Sequence, residues 1–179
     1  MKRIIMHWTG GAYQPSAYDK KHYHKLIDGN GKVHDGKYPI AANETISGGY
    51  AAHTRNCNTG SIGIAVCAMF GAKESPFDVG NYPITDKQFS ALTREVARLC
   101  MEYEIEVTPQ TVLTHAEVQD TLGIAQRAKW DITVLDGRKA SAKTVGDYLR
   151  HEVRCFIRDL TPKPSIWTAI AAILKGLRK

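Results

Sequence analysis

Hydrophobic positions along the chain change period several times, and each change marks an element. Arg3 to Trp8 (RIIMHW) is an apolar run broken by Thr9-Gly10-Gly11, which predicts a short strand with His7 near its end. Tyr18 to Ile27 carries a weak helix followed by a strand. Asp28-Gly29-Asn30-Gly31 is a hairpin turn signal, and Lys32-Val33-His34 begins the return strand. Residues 37–50 show no period and read as irregular loop. Ser61 to Phe70 (SIGIAVCAMF) is nearly continuous apolar sequence with β-branched members, which predicts a central strand buried on both faces.

Residues 71–84 hold Pro76, Gly80 and Pro83 and read as a long loop. Thr85-Asp86-Lys87-Gln88 has the form of a capping box. Phe89, Leu92, Val96, Leu99 and Tyr103 then recur at helical spacing, so an amphipathic helix is expected over 86–104. Val112-Leu113-Thr114-His115 predicts a short strand that delivers His115, and a loop is expected from there to Lys129-Trp130-Asp131. A second helix is expected over 143–159, with Val145, Leu149, Val153 and Phe156 on one face. This alternation predicts fold class α/β: a single domain over 1–160, with a central mixed β-sheet flanked by helices. Thr161-Pro162-Lys163-Pro164 is a stiff break. Beyond it Ile166, Trp167, Ile170, Ile173, Leu174 and Leu177 share one face of a C-terminal amphipathic helix ending in Lys175, Arg178 and Lys179.

Composition adds two constraints. With 179 residues, 43% of them hydrophobic and 23% charged, the chain is long enough and apolar enough for one real core. The net charge of +6 is consistent with an anionic partner (nucleic acid, a membrane surface or a cell-wall polymer) and equally with a role in general solubility. Outside the C-terminus that charge is dispersed, and no nucleic-acid-binding motif accompanies it, so nucleic acid is not expected as a partner. Cys57, Cys67, Cys100 and Cys155 form no CxxC pair and are expected to be free thiols, as in a reducing compartment. Met1 to His7 contains no apolar run of signal-peptide length, so synthesis in the cytoplasm is expected.

The candidate chemistry lies in His7, His115 and Asp131, with Lys129 two positions before the aspartate. Two imidazoles and a carboxylate are the parts of an open zinc site, in which a fourth position is left for water. Spacing alone leaves alternatives: His7 as a strand-end histidine without metal, Asp131 as a helix cap.

Several short motifs occur in a telling order. They are His7 after a strand, Tyr23-His24-Lys25-Leu26-Ile27 with the DGNGKV turn, and Ala52-His53-Thr54 leading into Asn58-Thr59-Gly60-Ser61-Ile62-Gly63-Ile64. Thr114-His115 and Lys129-Trp130-Asp131 follow. In this combination, over roughly residues 3–157, the chain resembles the zinc-dependent N-acetylmuramoyl-L-alanine amidases of the amidase-2 type, which share their fold with peptidoglycan recognition proteins. The resemblance implies zinc held by His7, His115 and Asp131, with Tyr23 and Lys129 as catalytic side chains. It also implies substrate contacts at Trp8, His53 and Asn58. Lys129 would stabilise the oxyanion, and Tyr23 would hydrogen-bond the attacking water or steady the tetrahedral intermediate.

The implied activity is hydrolysis of the amide between N-acetylmuramic acid and L-alanine in peptidoglycan, in a phage or prophage endolysin that reaches the wall once the inner membrane is opened. The alternatives are a cytosolic amidase recycling anhydro-muropeptides and a non-catalytic peptidoglycan-binding module. Residues 166–179, as a helix about 21 Å long, would be too short to span a bilayer; the pattern suits a helix lying on an anionic membrane surface and equally one docked on the domain or used in self-association.

Overall fold

The computed structural model describes residues 1–161. The expected C-terminal helix and its membrane contact, at 166–179, lie outside the described residues. A five-stranded sheet runs in the order β3-β2-β4-β1-β5, formed by Val33–Asp35, Lys25–Ile27, Ser61–Val66, Arg3–Trp8 and Val112–Thr114. All neighbours are parallel except the β2–β3 hairpin, so the sheet is mixed and β4 is its central strand.

The strand pleat sorts β1 and β4 into two faces. Ile4 and Met6 pair with Ile62 and Ile64, and these residues enter the main core under helices α2 (Asp86–Glu102) and α4 (Ala142–Leu160). Leu92, Val96 and Leu99 of α2 and Val145, Leu149 and Val153 of α4 cover that face without exposed surface. Full burial of such side chains is worth about 1.5–3 kcal/mol each. The Thr85–Gln88 capping box forms as the sequence predicts. The same Gln88 side chain, fully buried, donates to the carbonyls of Ile27 and Cys67 at 3.2 and 2.9 Å and so caps two strand ends.

The structure corrects several sequence expectations. The apolar run after Ser61 is strand only to Val66. Met69 takes a left-handed φ of 73°, its N–H turns to the Tyr82 carbonyl, and Phe70 is half exposed. Residues 37–50 contain a 3-10 turn, Ile40–Asn43. The segment between His115 and Lys129 is not wholly loop: a 3-10 turn, His115–Glu117, leads into a short helix α3, Val118–Leu122, which Gly123 ends in the left-handed conformation. A small hairpin, β6 (Val134–Leu135) with β7 (Arg138–Lys139), precedes α4. Preceding β2 is a short helix, α1 (Ala17–His22), capped at both ends of its first turn by Ser16 and Asp19. Among the described residues no helix is long and apolar enough to cross a membrane.

Candidate metal centre

β1 and β5 are adjacent and parallel, so their carboxyl ends lie side by side. His7 is the penultimate residue of β1, and His115 follows directly on Thr114 at the end of β5. The parallel pairing therefore brings two residues far apart in sequence to one edge of the sheet. Asp131 arrives from the segment after α3, where its carbonyl accepts the Ala116 N–H at 2.6 Å and ties it to the His115 turn.

The three side chains meet. Asp131 Oδ2 lies 3.0 Å from His7 Nδ1 and 3.2 Å from His115 Nδ1. One candidate ligand atom from each residue lies within 4.8 Å of the others, and all three residues are buried. Zinc with bonds of about 2.0 Å sets tetrahedral ligand atoms about 3.3 Å apart, close to the observed separations.

The outer bonds of the imidazoles test whether a cation fits. Gln126 Nε2 donates to the Arg55 and Ile124 carbonyls, which leaves its Oε1 to accept from His115 Nε2 at 3.0 Å. On the other side His53 Nε2 faces the Ser61 carbonyl at 3.4 Å, and His53 Nδ1 contacts Thr54 Oγ1 at 2.9 Å. The bond directions inferred from these carbonyls run from His7 Nε2 to Thr54 Oγ1, at 3.3 Å, and on to His53. The outer contacts thus place a proton on Nε2 of each metal-candidate imidazole, and each Nδ1 faces the Asp131 carboxylate. Burial pushes His7 down to about 4, so at neutral pH it has no second proton to place there. Burial alone would raise Asp131, but hydrogen bonds with His115 and His7 outweigh it and hold the carboxyl at about 2. For His7 that bond needs a proton on Nδ1, while its outer bond needs the single proton on Nε2. A cation among Nδ1, Nδ1 and Oδ2 removes the conflict, and the donor set suits zinc.

A cleft of about 250 Å³ opens onto this cluster. Tyr23 lines it, with its ring 5.2 Å from that of His7. Burial, reinforced by the charge of Asp131, raises the phenol above its ordinary range, so it remains a protonated donor. Lys129 lines the same cleft and is exposed. Trp8 packs edge-on against Trp130 with centroids 4.6 Å apart, and together they form one wall. His53 reaches the cleft from the loop before β4. It fits there because residue 63 is glycine, where a Cβ would lie 2.4 Å from the His53 ring. Asn58 is placed elsewhere: its Oδ1 accepts the Thr54 N–H at 2.9 Å, so it shapes the loop that carries His53 and does not line the cleft.

Sequence reasoning missed Arg127, a second cation of the cleft, and the supporting roles of Gln126 and Thr54. Arg127 stands two residues before Lys129, a proximity that could have drawn attention to it.

A family model described as N-acetylmuramoyl-L-alanine amidase matches residues 1–133. No curated protein matches the chain. Among solved structures, it is similar to the Ph2119 endolysin from Thermus scotoductus bacteriophage Ph2119. The identity is 16% and the TM-score 0.50, covering 84% of this chain and 83% of that one. It is similar to the amidase LysC from Clostridium intestinale at 16% identity, TM-score 0.50 and coverage of 83% and 84%. Bumblebee PGRP-SA gives 18%, 0.50, 81% and 80%. At these identities the structural matches establish a shared fold.

Proposed function

The chain belongs to the N-acetylmuramoyl-L-alanine amidase family, and from that premise we propose that it hydrolyses the muramoyl–L-alanine amide of peptidoglycan with a zinc ion held by His7, His115 and Asp131. The observation that carries this reading is the convergence of two imidazole Nδ1 atoms on one carboxylate oxygen, at 3.0 and 3.2 Å, each imidazole supported from behind by a further polar side chain. Zinc bound there supplies a Lewis acid and a water that ionises near neutral pH.

The protein's own groups account for the rest. Tyr23 keeps its proton and can donate it in a hydrogen bond to the amide carbonyl oxygen as negative charge develops. Lys129 and Arg127 place positive charge on the cleft wall, where it opposes the same developing charge. Trp8 and Trp130 form an apolar wall that limits water around the reacting amide. His53 holds His7 through the Thr54 contact and borders the substrate space. The net charge of +6 favours encounter with an anionic wall polymer.

The proposed setting is endolysin-type wall degradation, with synthesis in the cytoplasm and access to the wall after the membrane opens. It is supported by the fold shared with a phage endolysin. Digestion of purified sacculi, followed by mass spectrometry, tests the reading. The expected products are peptides with new L-alanine N-termini and uncut glycan strands, formed only without chelator. Cleavage within the glycan or the peptide, or cleavage indifferent to chelator, would overturn it. Faster turnover of soluble anhydro-muropeptides than of sacculi would move the enzyme to muropeptide recycling.

A further inference from the structure

Arg150 is 1% exposed and is the largest fully buried side chain among the described residues. It lies on α4, beyond the residues matched by the family model. Its guanidinium forms a two-pronged pair with Glu117, Nη1 to Oε2 at 3.1 Å and Nη2 to Oε1 at 2.8 Å. Nη1 also donates to the Val112 carbonyl at 3.0 Å, and Nη2 to Asp147 at 2.8 Å. Glu117 in turn accepts the Thr114 N–H at 2.9 Å and the Thr114 hydroxyl at 3.2 Å. The bonds of Arg150 and Glu117 therefore bracket Val112 to Glu117, the stretch that contains His115.

Gly146 shows that this approach is tight. A Cβ at that position would lie 2.1–2.3 Å from the Glu117 carboxylate. A helix-interior glycine costs about 1 kcal/mol relative to alanine. Here it lets α4 close onto the carboxylate. Buried ion pairs are often no more stable than apolar residues of similar volume, so stability alone is a poor reason for this one.

We infer that Arg150 is a positioning residue for the metal centre: through Glu117 it clamps the 3-10 turn that aims His115 Nδ1 at the ion. The inference rests on the metal reading above. Because Ala116 N–H also bonds the Asp131 carbonyl, the clamped turn sets the place of two ligands at once.

Arg150→Met and Arg150→Lys test this against wild type in two ways. The first readout is amide hydrogen exchange at Thr114 and Ala116, compared with Ile62 and Ile64 in β4. The clamp predicts that exchange at the turn accelerates at least about tenfold beyond any change in β4, because the opening is local. The second is zinc affinity measured against a chromophoric chelator. It should fall about 10- to 100-fold in Arg150→Met, as for loss of other supports behind metal ligands. Arg150→Lys keeps the charge and loses the fork. It should fall between, and it decides the matter if Arg150→Met does not fold. Uniform acceleration at all four amides with unchanged zinc affinity would make Arg150 a stability residue only and overturn the inference. A wild type that takes up no zinc would remove the metal reading, and the exchange comparison would still decide whether the clamp exists.

Discussion

On the side of the sheet under α2 and α4, β1 and β4 present Ile4, Met6, Ile62, Ile64 and Val66, all without exposed surface. Towards the other side β1 presents Arg3, Ile5 and His7, and β4 presents the smaller Ser61, Gly63 and Ala65. One face is filled by large aliphatic side chains that lock helices in place. On the other, β4 keeps its residues small so that His53, Tyr23 and the loop before β4 can bring polar groups against His7. The strand pleat makes both possible in a single run of sequence, because a change at one position leaves the opposite face in place. The helix side supplies stability, and the site side exploits it by holding buried polar atoms in fixed positions.

Variants on either side separate these roles. The largest effect is expected from Asp131→Ala, which removes the one anionic ligand candidate and should lower turnover of sacculi at least about 10⁴-fold. Comparison of initial rates at equal folded concentration checks it. On the helix side Ile64→Ala should cost about 2–5 kcal/mol of stability by denaturant titration. Its rate per folded molecule should remain at the wild-type value, and a large loss of rate would blur the division of labour between faces. Tyr23→Phe keeps the ring and removes the donor. It should lower the rate about 100-fold while zinc binding is retained.

The smallest expected effect is a pH dependence confined to the site side. Burial lowers His24 to about 4 and His53 well below its ordinary value. Folding therefore keeps these rings neutral, whereas the unfolded chain takes up protons below about 6.5. The stability they contribute is complete above that pH and is lost as pH falls towards 4. Between pH 7.5 and 6 the metal-free protein should lose about 1 kcal/mol for each such ring, read from denaturation midpoints. A flat profile down to pH 5 would show that these rings are not held neutral.

The helix face was legible in the sequence because Leu92, Val96 and Leu99 repeat at helical spacing and the Thr85–Gln88 cap announces where α2 begins. His7, His115 and Asp131 were also legible as residue types, since a strand-end histidine and a carboxylate beside Trp130 suit a metal. Their meeting was not, because it depends on the parallel pairing of β1 with β5. The supports behind them were harder still. Thr54 and Gln126 are ordinary loop residues until two loops fold against each other. Asn58 carried the right chemistry for a substrate contact, yet its side chain is engaged by the Thr54 backbone. Nothing in the sequence singles out Arg150 or Glu117, and only a glycine at 146 inside an otherwise regular helix hints at a close approach. The apolar run after Ser61 overstated β4 because continuous hydrophobicity cannot show that Met69 turns into the left-handed region.

In the proposed reaction one cation is held among His7, His115 and Asp131. Calorimetric zinc titration of the metal-stripped wild type beside His115→Ala tests it most directly. The wild type is expected to take up one zinc per chain and the variant to bind it at least about 100-fold more weakly, with both proteins folded. A wild type that binds no zinc stoichiometrically, or a variant that binds it equally well, would show that these three residues do not hold the ion.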